Sequence, residues 1–309
     1  MSTVSGRDLR GALLTAKAPP AAPRTAAPPP AAAPRRLAVL PTLALLVGAI
    51  YCLMPVVWVV IASTKSGSEL FATSTFVPST ALFDNAAELL AYRDGVFWKW
   101  MMNSALYAGG GALASAAVSG LTGYTLAKFQ FRGRSTIFNV MLAGVLVPQI
   151  ILAIPQYLLL SRVGLTNTYL AVLLPSILSP YGIYLARIFA AAAVPDSIIE
   201  AARTDGASEA RIVTTIAAPM MMPGLVTIFL LQFVGIWNNF LLPFIMLSDD
   251  EKFPLTVGLY TLLNQGATQP ALYTLVITGS LLSIIPLILL FLYLQRYWRA
   301  DLLSGAVKA

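Results

Sequence analysis

Six long apolar runs, separated by stretches that with the two tails hold nearly all the charge, organise this chain. They cover 37–61, 100–127, 136–160, 169–189, 223–247 and 271–295. Each is long enough for an α-helix to cross about 30 Å of hydrocarbon, which takes about 20 residues. The pattern predicts six transmembrane helices in an all-α polytopic membrane protein. Pro55, Pro148, Pro155, Pro175, Pro180, Pro243 and Pro286 fall inside the runs. They are expected to be accommodated there, because neighbouring helices can satisfy the backbone groups that proline frees. No Asp, Glu, Lys or Arg lies in the middle of any run. That argues against a proton- or ion-coupled carrier, which normally relays charge through such groups.

Composition narrows the class. Of 309 residues, 58% are hydrophobic and 11% charged, against about 25% charged in a soluble domain. Mean hydropathy is +0.77. A soluble enzyme, a nucleic-acid-binding domain and a disordered chain are excluded. The net charge of +7 does not mark a nucleic-acid partner, since the cations sit in short loops and at the termini. Five of them, Lys65, Arg93, Lys99, Arg162 and Lys252, fall in loops on one side of the predicted membrane, and the remaining fifteen fall on the other. Cations favour the cytoplasmic side of a membrane, so both termini are expected there. Trp98, Trp100 and Trp298 fall near span ends, where amphipathic rings prefer to sit. With no histidine and one cysteine, Cys52, the chain can form no internal disulfide, no His/Cys metal site and no histidine-based triad.

Residues 1–34 hold ten alanines and seven prolines. With Met1, Val4, Leu9, Leu13 and Leu14 its few large apolar residues, 1–36 is too poor in them to build a core and is expected to be a disordered cytoplasmic tail. A cleaved signal peptide is the competing reading, but the run over 37–62 is too long for its apolar core. The chain has no G-K-S or G-K-T and so no phosphate-cradling loop of its own. If it moves anything uphill the energy must come from a partner, and the chain by itself is expected to be non-catalytic and to bind no cofactor.

The segment 190–222 departs from a simple bundle. Pro195-Asp196 is a helix start with Asp196 as N-cap candidate. Asp205-Gly206 is a turn signal, and Ser208 can cap a second helix reaching Ala218. Ala201, Ala202 and Ala207 leave little bulk, so another protein could approach closely. A solvated amphipathic loop is the alternative.

Glu200-Ala201-Ala202, three residues, Gly206, nine residues, Ile216 and then Pro219 resembles the EAA loop of ABC importer permeases. The chain departs from that pattern at Ala218, where the family has leucine. Over 37–309 it is similar to the MalG-type subunits of carbohydrate importers. Asn103-Ser104 resembles the start of their second span, and Gly123-Tyr124-Thr125-Leu126-Ala127-Lys128-Phe129 with Phe131-Arg132-Gly133 the stretch that closes it. Gly164-Leu165-Thr166-Asn167-Thr168, Trp237-Asn238-Asn239-Phe240 with Pro243, and the ending Gly305-Ala306-Val307-Lys308 resemble further family motifs in order.

The resemblance implies a type I importer fold and a heterodimer with a MalF-like permease. It also implies two ATP-binding subunits that use ATP and Mg, and an extracytoplasmic solute-binding protein delivering a di- or oligosaccharide. It makes 190–222 a coupling loop in which Glu200 meets a basic group on an ATPase and Gly206 permits the turn. Ala201, Ala202, Asp205, Ala207 and Pro219 complete that surface. It offers Gly305, Ala306, Val307 and Lys308, in the cytoplasmic tail 296–309, as a second ATPase contact.

Gln149, Gln232, Trp237, Asn238 and Asn239 are candidates for the translocation path, since amides bond sugar hydroxyls and indole faces stack on sugar rings. Hydrogen bonding between spans is the alternative for each. Gly109-Gly110-Gly111 and the small residues over 115–123 read as close helix packing, and Asp249-Asp250-Glu251 as a solvated outer loop. An importer for glycerol phosphate or another small polar solute remains an alternative. A membrane-embedded enzyme would need a nucleophile, base or metal cluster that the spans lack.

Overall fold

The computed structural model describes residues 39–266, 269 and 271–306, with side chains to Tyr297. The tail 1–36, the Trp298 ring, Val307, Lys308 and the side chains of Gly305 and Ala306 lie outside the described residues. Helices and turns make up the described secondary structure, with no strand among the described residues.

Two helices are long and apolar enough to cross a membrane outright, α1 (Val39–Ser63) and the stretch 271–297 of the last helix. Within its own chain α1 buries only Ala62 and Ser63. The short α2 (Glu69–Ala72) and α3 (Leu82–Ala91) follow. Next comes α4 (Val96–Lys128), a 33-residue helix whose five glycines and three serines dilute its hydropathy. At 1.5 Å per residue it is about 50 Å long, ample for a third crossing. Its glycines and serines bury themselves: Gly111, Ser115, Ser119, Gly120 and Gly123 are all inside. A Cβ at Gly123 would lie 2.5 Å from that of Ala186, so small residues bring this helix onto its neighbour's backbone.

The other crossings are broken. α5 (Arg134–Val145) and α6 (Gln149–Arg162) meet at 104°. Pro148 lacks an N–H and pushes Val147 out of helical geometry, so the run splits there. α7 (Tyr169–Ile177) and α8 (Pro180–Ala193) meet at 40°. Pro180 opens α8, and Ser179 caps it by accepting from the Gly182 N–H at 3.0 Å. Pro55, Pro155, Pro175 and Pro286 stay inside helices, as expected.

Beyond α8 come α9 (Asp196–Thr204), α10 (Glu209–Arg211), a π-helical turn (Ile212–Ala217) and α11 (Ala218–Met220). α12 (Met222–Trp237) then leaves at 78°. The predicted fifth span does not run unbroken to 247. Its helix stops at Trp237, where the Asn238 amide donates back to the Val234 carbonyl at 2.9 Å, and it restarts as α13 (Leu241–Met246). A 3-10 turn (Asp250–Lys252) leads to α14 (Leu255–Gly266), an apolar helix the hydropathy pattern does not announce, and then to α15 (Ala271–Ala306). The pairs α5–α6 and α7–α8 each carry the apolar length of one crossing, and α12 with α13 carries that of another; with α1, α4 and α15 these make six crossings.

Trp100 is fully buried, and its ring lies on the bare backbone of Gly258, where a Cβ would sit 2.2 Å away. Trp98 is exposed, whereas Trp100 lies under α14 and is not the open interfacial ring its place near a span end predicts.

Candidate functional site

α4 is anchored at both tips. At its first tip, Asn103 donates to the carbonyls of Glu251 and Phe253 at 2.7 and 3.0 Å, and accepts from the Tyr169 hydroxyl at 3.3 Å. The Trp100 indole donates to the Asp250 carbonyl at 2.9 Å, and Tyr107 to the Lys252 carbonyl at 2.9 Å. Ser104 accepts from the Leu255 N–H at 2.8 Å. Arg93 pairs with Asp250, and Lys99 with Glu251 at 2.7 Å. From the other flank, Asn167, in the left-handed region at φ 57°, accepts from the N–H groups of Ser248 and Asp249 at 3.1 and 3.0 Å. The side-chain bond from Lys252, helped by the Glu251 N–H, holds the Asp249 carboxyl below its usual range. The acidic run is therefore a loop pinned through its carbonyls, which α4 binds, while its carboxylates stay half-exposed or exposed.

At the second tip sits the 190–222 segment. The Lys128 side chain is only 6% exposed, and its ammonium pairs with Asp196 at 2.8 Å. That bond explains a departure from the expected cap. Pro195 takes the cap position, and Asp196 becomes the first helical residue with its carboxylate on α4. Ile199 and Ala202 turn inward against Tyr124, Ala186, Ala190, Val194 and Ile212. The expectation that Ala202 lies open to a partner is thus corrected. An inward position on an amphipathic helix is set by the 3.6-residue period, and Ala202 shares the stripe of Ile199.

The outward face of α9 carries Ser197, Glu200, Ala201 and Thr204, followed by Asp205 and Gly206, all exposed; Ala207 is half-buried. Gly206 sits at φ +78°, a conformation that side chains disfavour and glycine adopts freely. Across this turn Arg203 pairs with Glu209 at 2.7 Å, a bond that raises the guanidinium's already high pKa. Ser208 accepts from the Arg211 N–H at 3.4 Å and caps the second arm, as expected. That arm continues as the π-helical turn, a form that often marks functional sites, and Pro219 is exposed at its end. The loop is a rigid two-armed platform with an open face.

The path candidates separate. Gln232 donates to the Ser179 hydroxyl at 2.7 Å, joining α12 to α8. Asn239 accepts weakly from the Leu242 N–H at 3.4 Å, at the start of α13. Gln149 is exposed just beyond the α5–α6 break. Trp237 is buried, with its ring stacked on Phe233 at 5.5 Å, yet it shares the wall of a cleft with Asn238. The same cleft is lined by Thr256, Tyr260, Ser280 and Ser283, residues whose sequence surroundings carry no motif. No cluster of metal-ligating side chains occurs among the described residues.

Residues 119–301 match the family described as the binding-protein-dependent transport system inner membrane component, and the chain belongs to that family. Its place is therefore that of the membrane-embedded, non-catalytic permease of a transport system. The arabinooligosaccharides transport system permease protein AraQ of Halalkalibacterium halodurans is 34% identical over 263 residues, covering 84% of this chain and 92% of AraQ. The lactose transport system permease protein LacG of Rhizobium radiobacter is 33% identical over 263 residues, covering 84% and 92%. A bacterial ABC transporter involved in the import of the acidic polysaccharide alginate shares the fold. One of its chains superposes with a TM-score of 0.72 at 24% identity, over 84% of this chain and 95% of its own.

Proposed function

We propose that this chain is one of two permeases in an ATP-driven importer that brings a di- or oligosaccharide into the cytoplasm. The second permease is MalF-like, two ATPase subunits supply the energy, and an extracytoplasmic binding protein delivers the sugar. Relatives named for arabinooligosaccharides and lactose support the cargo class. Both termini and the 190–222 platform face the cytoplasm in this reading, in keeping with the excess of Lys and Arg on that side.

The observation that carries the proposal is the open face of α9. Glu200 is exposed and has no ion pair among the described residues, although Arg203 lies on the same helix. The helix is held from behind by Lys128 and a buried stripe, so a push on its outward face moves α4 and α8 with it. ATPase closure then shifts a two-state equilibrium between inward- and outward-facing arrangements.

The test is ATPase activity and sugar uptake of the reconstituted complex with its binding protein and a panel of oligosaccharides. Stimulation by a sugar together with the binding protein is expected. Glu200→Lys is expected to abolish uptake and weaken ATPase association while the two permeases still insert. Full uptake in that variant would sink the coupling assignment.

A further inference from the structure

The cleft between α12, α14 and α15 has a volume of about 380 Å³, within the range of ligand pockets, about 300–1,000 Å³. Its polar lining is made of Asn238, Thr256, Tyr260, Ser280 and Ser283, with Trp237 beside them and aliphatic side chains between. Polar side chains at membrane depth generally join helices or line a path. The hydrogen bonds decide between these roles. Ser280 donates to the Val276 carbonyl at 2.8 Å, Ser283 to the Ser280 carbonyl at 2.7 Å and Asn238 to the Val234 carbonyl at 2.9 Å. All three bonds stay on the residue's own helix or at its end. Only Thr256, donating to the Asn239 carbonyl at 2.8 Å, ties two elements together. Gln232 shows what a true interhelical bond looks like in this chain, reaching Ser179. Apart from Thr256, the cleft hydroxyls therefore do not glue spans, and their oxygens, with the Asn238 side-chain carbonyl, keep acceptor capacity to spare.

The aromatic part is fixed in place. Tyr260 meets Phe240 edge-on at 4.8 Å and Phe244 edge-on at 5.5 Å, so two neighbours set its plane. Its ring is 37% exposed, and its hydroxyl has no partner among the described residues. No Asp, Glu, Lys or Arg lines the cleft. Acceptors and a few exchangeable donors beside a held ring fit a ligand rich in hydroxyl donors with an apolar ring face. The lack of a cation leaves a carboxylate or phosphate unpaired there.

We infer that this cleft is a contact station for neutral oligosaccharides, with Tyr260 as its ring platform, and that it selects against uronate-containing and phosphorylated sugars. The inference rests on the reading of the chain as a sugar permease. It sets the protein apart from the alginate importer, whose named cargo is acidic although its fold is shared.

The experiment uses the reconstituted complex with its binding protein and radiolabelled oligosaccharides of both kinds, neutral and uronate-containing. Wild type is expected to favour the neutral class. Tyr260→Ala is expected to raise the uptake KM for the neutral sugar tenfold or more, with Tyr260→Phe recovering most of that loss. Ser280→Lys, which places a cation in the cleft, is expected to lower the neutral-to-acidic uptake ratio at least tenfold. A general folding defect lowers both classes alike, so an unchanged ratio in Ser280→Lys together with an unchanged KM in Tyr260→Ala overturns the cleft and leaves the sugar permease standing. Wild-type complex that carries neither class overturns the sugar reading and the cleft together.

Discussion

Asn103 offers the sharpest test of how the two ends of α4 are secured. Its amide makes two donor bonds to loop carbonyls and accepts one from Tyr169, and the residue is 7% exposed. Asn103→Leu keeps the approximate size and removes all three bonds. A net hydrogen bond contributes about 0.5–1.5 kcal/mol, and carbonyls left unpaired push toward the upper figure. The expected local loss is about 3 kcal/mol, or about a hundredfold in the opening equilibrium at 1.4 kcal/mol per decade. Amide hydrogen exchange in nanodiscs reads this directly, because exchange through local opening tracks that equilibrium. Amides over 248–255 should exchange about a hundred times faster, while those of α9 keep their protection. Tyr169→Phe removes only the long third bond and should accelerate the same amides by no more than about tenfold. Unchanged exchange over 248–255 in Asn103→Leu, or an equal rise everywhere, would refute the reasoning.

The ion pair at the other tip is asymmetric, with Lys128 6% exposed and Asp196 77%. Asp196→Ala strands a buried ammonium, whereas Lys128→Met fills the same space without charge, so the aspartate variant should lower the thermal midpoint of the detergent-solubilised complex more; the reverse order would remove the pair as an anchor. Gly258→Ala puts a methyl group 2.2 Å from the Trp100 ring and should destabilise by about 1–3 kcal/mol. Gly109→Ala, with nothing within 4 Å in the chain, should be neutral or stabilise by up to about 1 kcal/mol; equal thermal shifts for the two would contradict the packing described.

Much of this was readable in the residues, and what was not has physical reasons. Hydropathy located the crossings because lipid enforces runs of apolar residues, but an average over a window is blind to backbone geometry. Pro148 and Pro180 therefore broke two spans that composition left whole, while Pro155 and Pro175 did not. α14 passed as loop because twelve residues are too few to cross a bilayer, and its role is to cover Trp100. Spacing placed the Gly206 turn correctly. Motif resemblance set Ala202 on the outer surface, although its spacing from Ile199 puts it on the stripe that packs with Tyr124 and Ile212. Gln232 and Asn238 are chemically alike, and only the partner 53 residues away distinguishes them. Asn103 and Asn167 entered as fragments of family resemblance, and the carbonyls and N–H groups they hold supply the reason those amides are there.

The unbroken length of α4 has a mechanical consequence. A stiff rod about 50 Å long that turns by about 5° at one tip displaces the other by about 4 Å. A bent crossing dissipates such a turn at its kink, as the 104° and 78° joints invite. α4 has no kink, and its tips are bolted to Asp196 and to the carbonyls of 250–253. In the importer reading proposed above, that makes α4 a lever arm: a tilt begun at one tip would arrive at the other as travel, carried with the helix that its glycine and serine flank packs against.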